Sequence, residues 1–150
     1  RNRARQEANV DRARLEYDRG VSLARADDLT GAIAAFQETL RFAPDFLEAR
    51  ENLAGMYCAS GRYAEGIAEY EAVLSIHPDD PDTHFLVGRA CLESNSPARA
   101  EEHWQAALRL NPNHGPAHLG LAVLAEQRGD FEGARRHREA ARATDPRTTH

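Results

Sequence analysis

The 150-residue sequence predicts an all-α fold, a solenoid of four helix-turn-helix repeats. Prolines recur every 34 residues, at Pro44, Pro78, Pro112 and Pro146. A fixed period between about 20 and 50 residues indicates a repeat array. Within each period, apolar residues lie three, four and seven positions apart, which places them on one face of a helix.

Other columns of residues follow the same period and indicate where the helices pack. The small residues form two columns, Gly20, Ala54, Gly88 and Ala122, and Ala32, Gly66, Ala100 and Ala134. The large apolar residues form three columns, Phe36, Tyr70 and Trp104; Leu40, Leu74 and Leu108; and Phe42, Ile76 and Leu110. We expect two helices per repeat, whose backbones approach closely at the small residues while the large residues fill the flanks.

Residues between the helices predict where each helix ends. A proline cannot continue a helix, so the second helix of each repeat should end just before its proline. Between the two helices the residues that tolerate a left-handed backbone recur, as Asp27, Gly61, Asn95 and Gly129. The residues expected to cap the next first helix are Asp45, Asp79 and Asn113, and Ser96 is expected to cap the helix that Pro97 opens.

This pattern of small, aromatic and proline positions resembles the tetratricopeptide repeat. The second repeat matches best, with Leu53, Ala54, Tyr57, Gly61, Tyr63, Gly66, Tyr70 and Pro78, whereas Pro97 departs from the pattern. The resemblance implies a right-handed α–α superhelix. We predict a single domain over 1–150, with repeats at 13–46, 47–80, 81–114 and 115–148 and with 1–12 extending the first helix.

Polar residues mark both ends of the predicted array. Arg135, Arg138, Arg142 and Thr144 stand in the fourth repeat where earlier repeats have mostly apolar residues. A fifth repeat would bury arginines without partners, at a cost of several kcal/mol, so we expect the array to stop here. Arg19 replaces the apolar residue of later repeats at the front. The chain begins with Arg1 rather than methionine, so we expect a piece of a longer protein, whose preceding residues the sequence cannot reveal.

Composition excludes several classes of function. All 19 basic residues are arginines, which excludes a phosphate-loop lysine and a Schiff-base lysine. The net charge of −5 argues against a nucleic-acid binder, and no apolar run is long enough to insert into a membrane. The sequence does not distinguish a cytoplasmic from a periplasmic location. Composition rich in alanine and arginine is typical of a GC-rich bacterial genome.

We predict no catalytic, cofactor-binding or metal-binding residues. His114 and His118 have metal-ligand spacing, but Gly115 and Pro116 intervene and no acidic third ligand is near. Cys58 and Cys91 are expected to be small, semi-buried residues on adjacent first helices. The prediction is therefore a non-enzymatic protein.

The resemblance implies that the first helices line a concave groove that receives a peptide or an amphipathic helix of a partner protein. The residues of this sequence that match the family's groove positions are Tyr17, Val21, Glu48, Glu51, Asn52, Phe85, Arg89, Leu92, Leu119 and Val123. Tyr17, Phe85, Leu92, Leu119 and Val123 would anchor the ligand. Glu48 and Glu51 would meet a basic ligand residue and Arg89 an acidic one. The alternative, above all for Val21 and Val123, is packing against neighbouring helices.

Other interpretations remain beside this one. The family's chaperone-tail binders hold a carboxylate with lysines, an arginine and asparagines. Only Asn52 and Arg89 match them here, so we reject that ligand. The main alternative is a homo-oligomeric scaffold, because residues 47–80 carry a net charge of −5 while 1–12 and 115–150 are net positive. A third interpretation is that this module recruits substrates to an enzyme domain that the flanking sequence encodes.

Overall fold

The computed structural model describes residues 2–148, and these contain eight α-helices and one 3₁₀ turn. The helices are α1 (Asn2–Arg25), α2 (Leu29–Phe42), α3 (Leu47–Ala59), α4 (Tyr63–Ile76), α5 (Pro81–Glu93), α6 (Pro97–Leu110), α7 (Gly115–Gln127) and α8 (Phe131–Ala143). The 3₁₀ turn is Pro146–Thr148. The described part of the chain has no strand, which confirms the predicted all-α class.

The helices form two compact units, divided within α4 between Val73 and Leu74. We call them unit 1 and unit 2. In unit 1, α2 packs against both α1 and α3; in unit 2, α6 packs against α5 and α7, and α7 packs against α8. Whether the whole chain is one domain stays a prediction.

The core of unit 1 is a cluster of apolar side chains from the first three helices. Its buried members are Ala32, Ile33, Phe36, Ala49, Leu53 and Tyr57. Gly20 faces Phe36 so closely that a methyl group at this position would lie 2.6 Å from Phe36 Cε1. The small residue at this position therefore makes room for the Phe36 ring, whereas we expected another helix backbone to approach it.

In unit 2, Trp104 occupies the repeat position that Phe36 has in unit 1, and it is almost fully buried. A methyl group on Gly88 would lie 2.6 Å from its Cδ1 atom, and one on Gly120 would lie 2.7 Å from its Cδ2 atom. Cys58 is half-buried, as expected, whereas Cys91 is fully buried. The indole thus fits between two first helices that both carry glycine at the contact.

All four predicted left-handed positions are confirmed. Asp27 has a φ of 61° and Asn95 of 66°, while Gly61 and Gly129 have φ of 77° and 79°. Each residue closes the C-terminus of a first helix, where a positive φ turns the chain towards the second helix.

The predicted caps of the first helices are wrong by one residue. Asp80, not Asp79, accepts the main-chain N–H of Asp82 at 3.0 Å, and His114, not Asn113, accepts that of Ala117 at 3.2 Å. Phe46 stands at the N-cap of α3 in place of Asp45 and has no side-chain capping bond. Ser96 is the N-cap of α6, but its side chain makes no capping hydrogen bond. The turn after each proline is one residue longer than we assumed.

The third apolar column is not covered as expected. Ile76 is 56% exposed and Leu110 is 40% exposed. Phe42 is half-buried, with the guanidinium groups of Arg12 and Arg41 over its ring. These residues are the last of α2, α4 and α6, at the helix end, where the side chain is left partly uncovered.

Candidate interaction surfaces

Unit 2 exposes an apolar patch on two neighbouring first helices, α5 and α7. We call it the α5–α7 surface; its predicted members are Phe85, Arg89, Leu92, Leu119 and Val123. Leu119 is 50% exposed and Val123, one turn later, is 39% exposed. Phe85 and Leu92 are half-buried on the helix beside them. The large exposed fraction of Val123 disfavours the alternative in which it only packs against other helices.

Contacts beneath the α5–α7 surface hold Phe85 in place. Trp104 Nε1 donates a hydrogen bond of 3.1 Å to the main-chain oxygen of Phe85, and the two rings stack with centroids 6.3 Å apart. The centroid of the His114 ring also lies 5.8 Å from that of Phe85. The guanidinium of Arg89 lies 5.8 Å from the Phe85 centroid, within the range of a cation–π contact. Phe85 is therefore a fixed platform rather than a mobile side chain.

His114 and His118, considered as a pair from the sequence, have separate partners. His114 is buried, and its Nδ1 accepts the N–H of Ala117, so its Nε2 carries the proton that is donated to Asp82 Oδ1 at 2.7 Å. His118 contacts Pro112 and His137 instead. The i, i+4 spacing therefore does not bring these two rings to a common ligand.

Unit 1 contains the other predicted site residues on α1 and α3, and we call this the α1–α3 surface. Asn52 Nδ2 donates a hydrogen bond of 3.1 Å to the hydroxyl of Tyr17, and the Tyr17 ring stacks on Phe46 with centroids 4.9 Å apart. Val21 packs against the core cluster of unit 1. Glu48 is exposed and Glu51 is half-buried. Packing thus engages Tyr17 and Val21, whereas the carboxylate of Glu48 faces solvent.

Sequence reasoning missed a cleft of about 710 Å³ in unit 2, formed by α6, α7 and α8. Its apolar lining includes Leu108, Leu121 and Leu124, and its basic lining includes Arg109 and Arg136. Neighbouring repeats contribute these residues from different helices, so no local motif in the sequence indicates the cleft.

Polar contacts between the two helices of a repeat were also missed. Arg50 on α3 pairs with Glu69 on α4 at 2.7 Å. In the next two repeats the same positions hold histidines, His84 with His103 and His118 with His137. The residues of each pair are 19 apart and each pair is 34 from the next, so the period of the array could have revealed them.

Two arginines of α8, Arg135 and Arg138, already have acidic partners. Arg135 pairs with Glu132 at 2.6 Å and with Glu139 at 3.0 Å. Arg138 pairs with Glu126 at 2.6 Å, and its hydrogen bond lowers the pKa of that carboxyl below the ordinary value. These pairs reduce the positive charge that this end offers to another molecule.

Comparison with known proteins settles the family. A sequence profile described as tetratricopeptide repeat matches residues 3–45, 17–81 and 85–147. The chain belongs to the tetratricopeptide repeat family. The predicted resemblance and fold class are thereby confirmed.

Among curated relatives, TPR repeat-containing thioredoxin TTL4 of Arabidopsis thaliana is 34% identical over 77 residues, which cover 51% of this chain and 11% of that protein. The DnaJ homolog subfamily C member 7 homolog of Dictyostelium discoideum is 26% identical over 146 residues, covering 87% and 27%. The chain thus spans about a quarter or less of these relatives. The solved structure of MamA 41-end from Desulfovibrio magneticus RS-1 has a TM-score of 0.82 at 21% identity, with 92% of this chain and 78% of that chain covered, which shows a shared fold.

Tetratricopeptide repeats bind protein partners and are generally non-enzymatic interaction modules. Between residues 2 and 148, no helix is both long and apolar enough to cross a bilayer. Within the same range, no three His, Cys, Asp or Glu side chains cluster closely enough to share one metal ion.

Proposed function

We propose that this tetratricopeptide repeat protein is a non-enzymatic adaptor that binds an amphipathic segment of a partner protein on the α5–α7 surface. The observation that carries the proposal is the exposure of Leu119 and Val123 on adjacent turns of α7, next to Phe85 and Leu92 of α5. Exposed apolar clusters of this kind usually mark an interaction site.

The side chains of the surface suggest the chemistry of its ligand. Leu119 and Val123 lie four residues apart, the spacing at which one helix face presents neighbouring contacts. The Arg89 guanidinium has no carboxylate partner among the described residues, so an acidic group on the ligand can pair with it. A helix with an apolar stripe and an acidic residue beside that stripe fits this surface.

On the α1–α3 surface, the exposed carboxylate of Glu48 would contribute separately by pairing with a basic ligand residue, and Glu51 beside it would add to this attraction. Tyr17 and Asn52 would act there as a rigid pair, because each holds the other through the 3.1 Å hydrogen bond. We therefore assign the apolar contacts to the α5–α7 surface and treat the α1–α3 surface as a separate site for a basic ligand residue.

Selection from a displayed library of random helical peptides tests the proposal. The wild-type chain should enrich peptides with an apolar stripe and an acidic flank, and a Leu119→Asp, Val123→Asp variant should lose them. Because both side chains are exposed, we expect the variant to keep its helical circular dichroism spectrum.

The matched control is Leu110→Asp. Leu110 is 40% exposed, close to the value for Val123, but lies on the second helix α6. This variant should retain the selected peptides. Equal loss in both variants, or no loss in the first, would refute binding on the α5–α7 surface.

The alternative function is self-assembly through charged ends. The ion pairs of Arg135 and Arg138 weigh against it, since those arginines are already partly neutralised. Light scattering at increasing salt distinguishes the two, because association driven by exposed charges weakens as salt rises. An oligomer that dissociates as salt rises would support self-assembly through the charged ends.

A further inference from the structure

Two histidine pairs occupy equivalent positions in the third and fourth repeats. His84 Nδ1 lies 3.3 Å from His103 Nδ1, and His118 Nδ1 lies 3.0 Å from His137 Nδ1. Each pair joins the first helix of its repeat to the second, α5 to α6 and α7 to α8. All four rings are half-buried, so solvent reaches them.

The first histidine of each pair is oriented by a backbone carbonyl. His84 Nε2 lies 3.0 Å from the main-chain oxygen of Pro78, and His118 Nε2 lies 2.8 Å from that of Pro112. A carbonyl oxygen can only accept, so Nε2 must carry the hydrogen. In the neutral ring, Nδ1 then has a free lone pair directed at the partner histidine. Metal-binding histidines are commonly fixed in this way, by donating the other ring N–H to a carbonyl.

The spacing of the nitrogen atoms fits a metal ion. With metal–nitrogen bonds of about 2.0–2.1 Å, two ligands at a tetrahedral angle lie about 3.4 Å apart, and two at a right angle about 2.9 Å apart. The Nδ1–Nδ1 distances of 3.3 Å and 3.0 Å both fall between these two values. Both pairs therefore have a nitrogen separation that suits coordination, and the two rings must turn so that both Nδ1 lone pairs point at the ion instead of along the hydrogen bond.

We propose that each histidine pair is a bidentate site for a divalent transition metal of the zinc or nickel type. Imidazole nitrogen is a preferred ligand for these ions. Water would complete the coordination, since the described residues bring no third metal-ligating side chain to either pair. Binding should therefore be weaker than at a closed structural zinc site with four protein ligands.

Coordination requires one tautomer change in each pair. In the hydrogen-bonded pair, the second histidine donates from Nδ1, because Nδ1 of the first histidine accepts. On metal binding, that hydrogen leaves Nδ1 while Nε2 of the same ring takes one up from water. The ring stays neutral, so no net proton is released at neutral pH.

The two sites should differ in strength. The 3.3 Å separation of the His84–His103 pair matches a tetrahedral ion more closely than the 3.0 Å separation of the His118–His137 pair. The positive charge of Arg136 also acts on His137, with Asp130 acting in the opposite direction. We expect zinc to bind His84 and His103 more tightly.

Titration calorimetry of the untagged 150-residue chain with zinc chloride at pH 7.5 tests the proposal. We expect two zinc ions per wild-type chain, one per His103→Ala or His137→Ala chain, and none for the double variant. The His137→Ala chain should retain the tighter site. His77→Ala is the matched control, because His77 is exposed in a loop outside both pairs, and it should retain two ions.

Nitrogen NMR of the histidine rings provides a test that does not depend on variants. Zinc should shift the Nδ1 resonances of the four paired histidines. Failure of the wild-type chain to bind zinc, or coordination through other histidines, would overturn the proposal. The pairs would then be hydrogen bonds that replace the Arg50–Glu69 ion pair of the second repeat.

Discussion

Trp104 donates its indole N–H to the main-chain oxygen of Phe85 across 3.1 Å, and this bond joins the two helices of the third repeat. The same indole stacks on the Phe85 ring. The residue at the centre of the unit 2 core therefore also supports the platform of the α5–α7 surface. Core packing and the candidate binding surface are linked through one side chain.

Gly88→Ala should destabilise the protein, because the added methyl group would lie 2.6 Å from Trp104 Cδ1. Overpacking of this kind costs about 1–3 kcal/mol. Urea denaturation followed by circular dichroism measures the loss. Gly55→Ala is the control, since its nearest neighbour would be the Tyr70 hydroxyl at an ordinary 3.6 Å. A helix-interior alanine is favoured over glycine by about 0.5–1 kcal/mol, so the control should not lose stability.

Gly129→Ala should also destabilise the folded protein, although the space around this position is open. The cause is the backbone, since a φ of 79° costs an L-residue with a Cβ about 1–2 kcal/mol. Gly129→Asn should lose less, because asparagine tolerates this conformation and Asn95 adopts it in the preceding repeat. Equal thermal midpoints for the alanine and asparagine variants would contradict this explanation.

Removal of the Asn52 side chain should reduce stability by about 0.5–1.5 kcal/mol, the usual net value of a hydrogen bond. Asn52→Ala breaks the bond to the Tyr17 hydroxyl, and Tyr17→Phe removes the other partner. A double-mutant cycle measured by chemical denaturation isolates the coupling between them. Additive losses would show that the contact contributes nothing.

His137 should titrate below the ordinary histidine value of 6.5. Burial lowers its pKa most, followed by the charges of His118 and Arg136, while Asp130 acts in the opposite direction. The unfolded chain then binds the proton at higher pH, so stability should fall as pH decreases from about 6.5 to the folded pKa. In an NMR titration, Arg136→Gln should raise the His137 pKa but leave it below 6.5. A wild-type value at or above 6.5 would contradict the assigned causes.

The sequence predicted those features that recur in register with the repeat. The four left-handed residues, such as Asp27, were predictable because only a few residue types tolerate a positive φ. The small column predicted close packing at Gly88, but the group that packs there is the Trp104 ring and not the expected helix backbone. Both features depend on local chemistry repeated at a fixed period.

Features that depend on turn geometry or on helix pairing were not predicted. The helix cap at Asp80 was placed one residue early, since residue type alone does not fix the length of the turn after Pro78. The His84–His103 contact was missed because we examined histidines four apart on one helix, whereas a helical hairpin brings residues 19 apart together. The hydrogen bond between Asn52 and Tyr17 likewise joins different helices.

Amide chemical-shift mapping with a selected amphipathic peptide tests the central claim most directly. We predict that the largest shifts on peptide addition fall on α5 and α7 of unit 2, around Arg89, Leu92, Leu119 and Val123. Shifts confined to the cleft formed by α6, α7 and α8, or to the arginines of α8, would contradict binding on the α5–α7 surface.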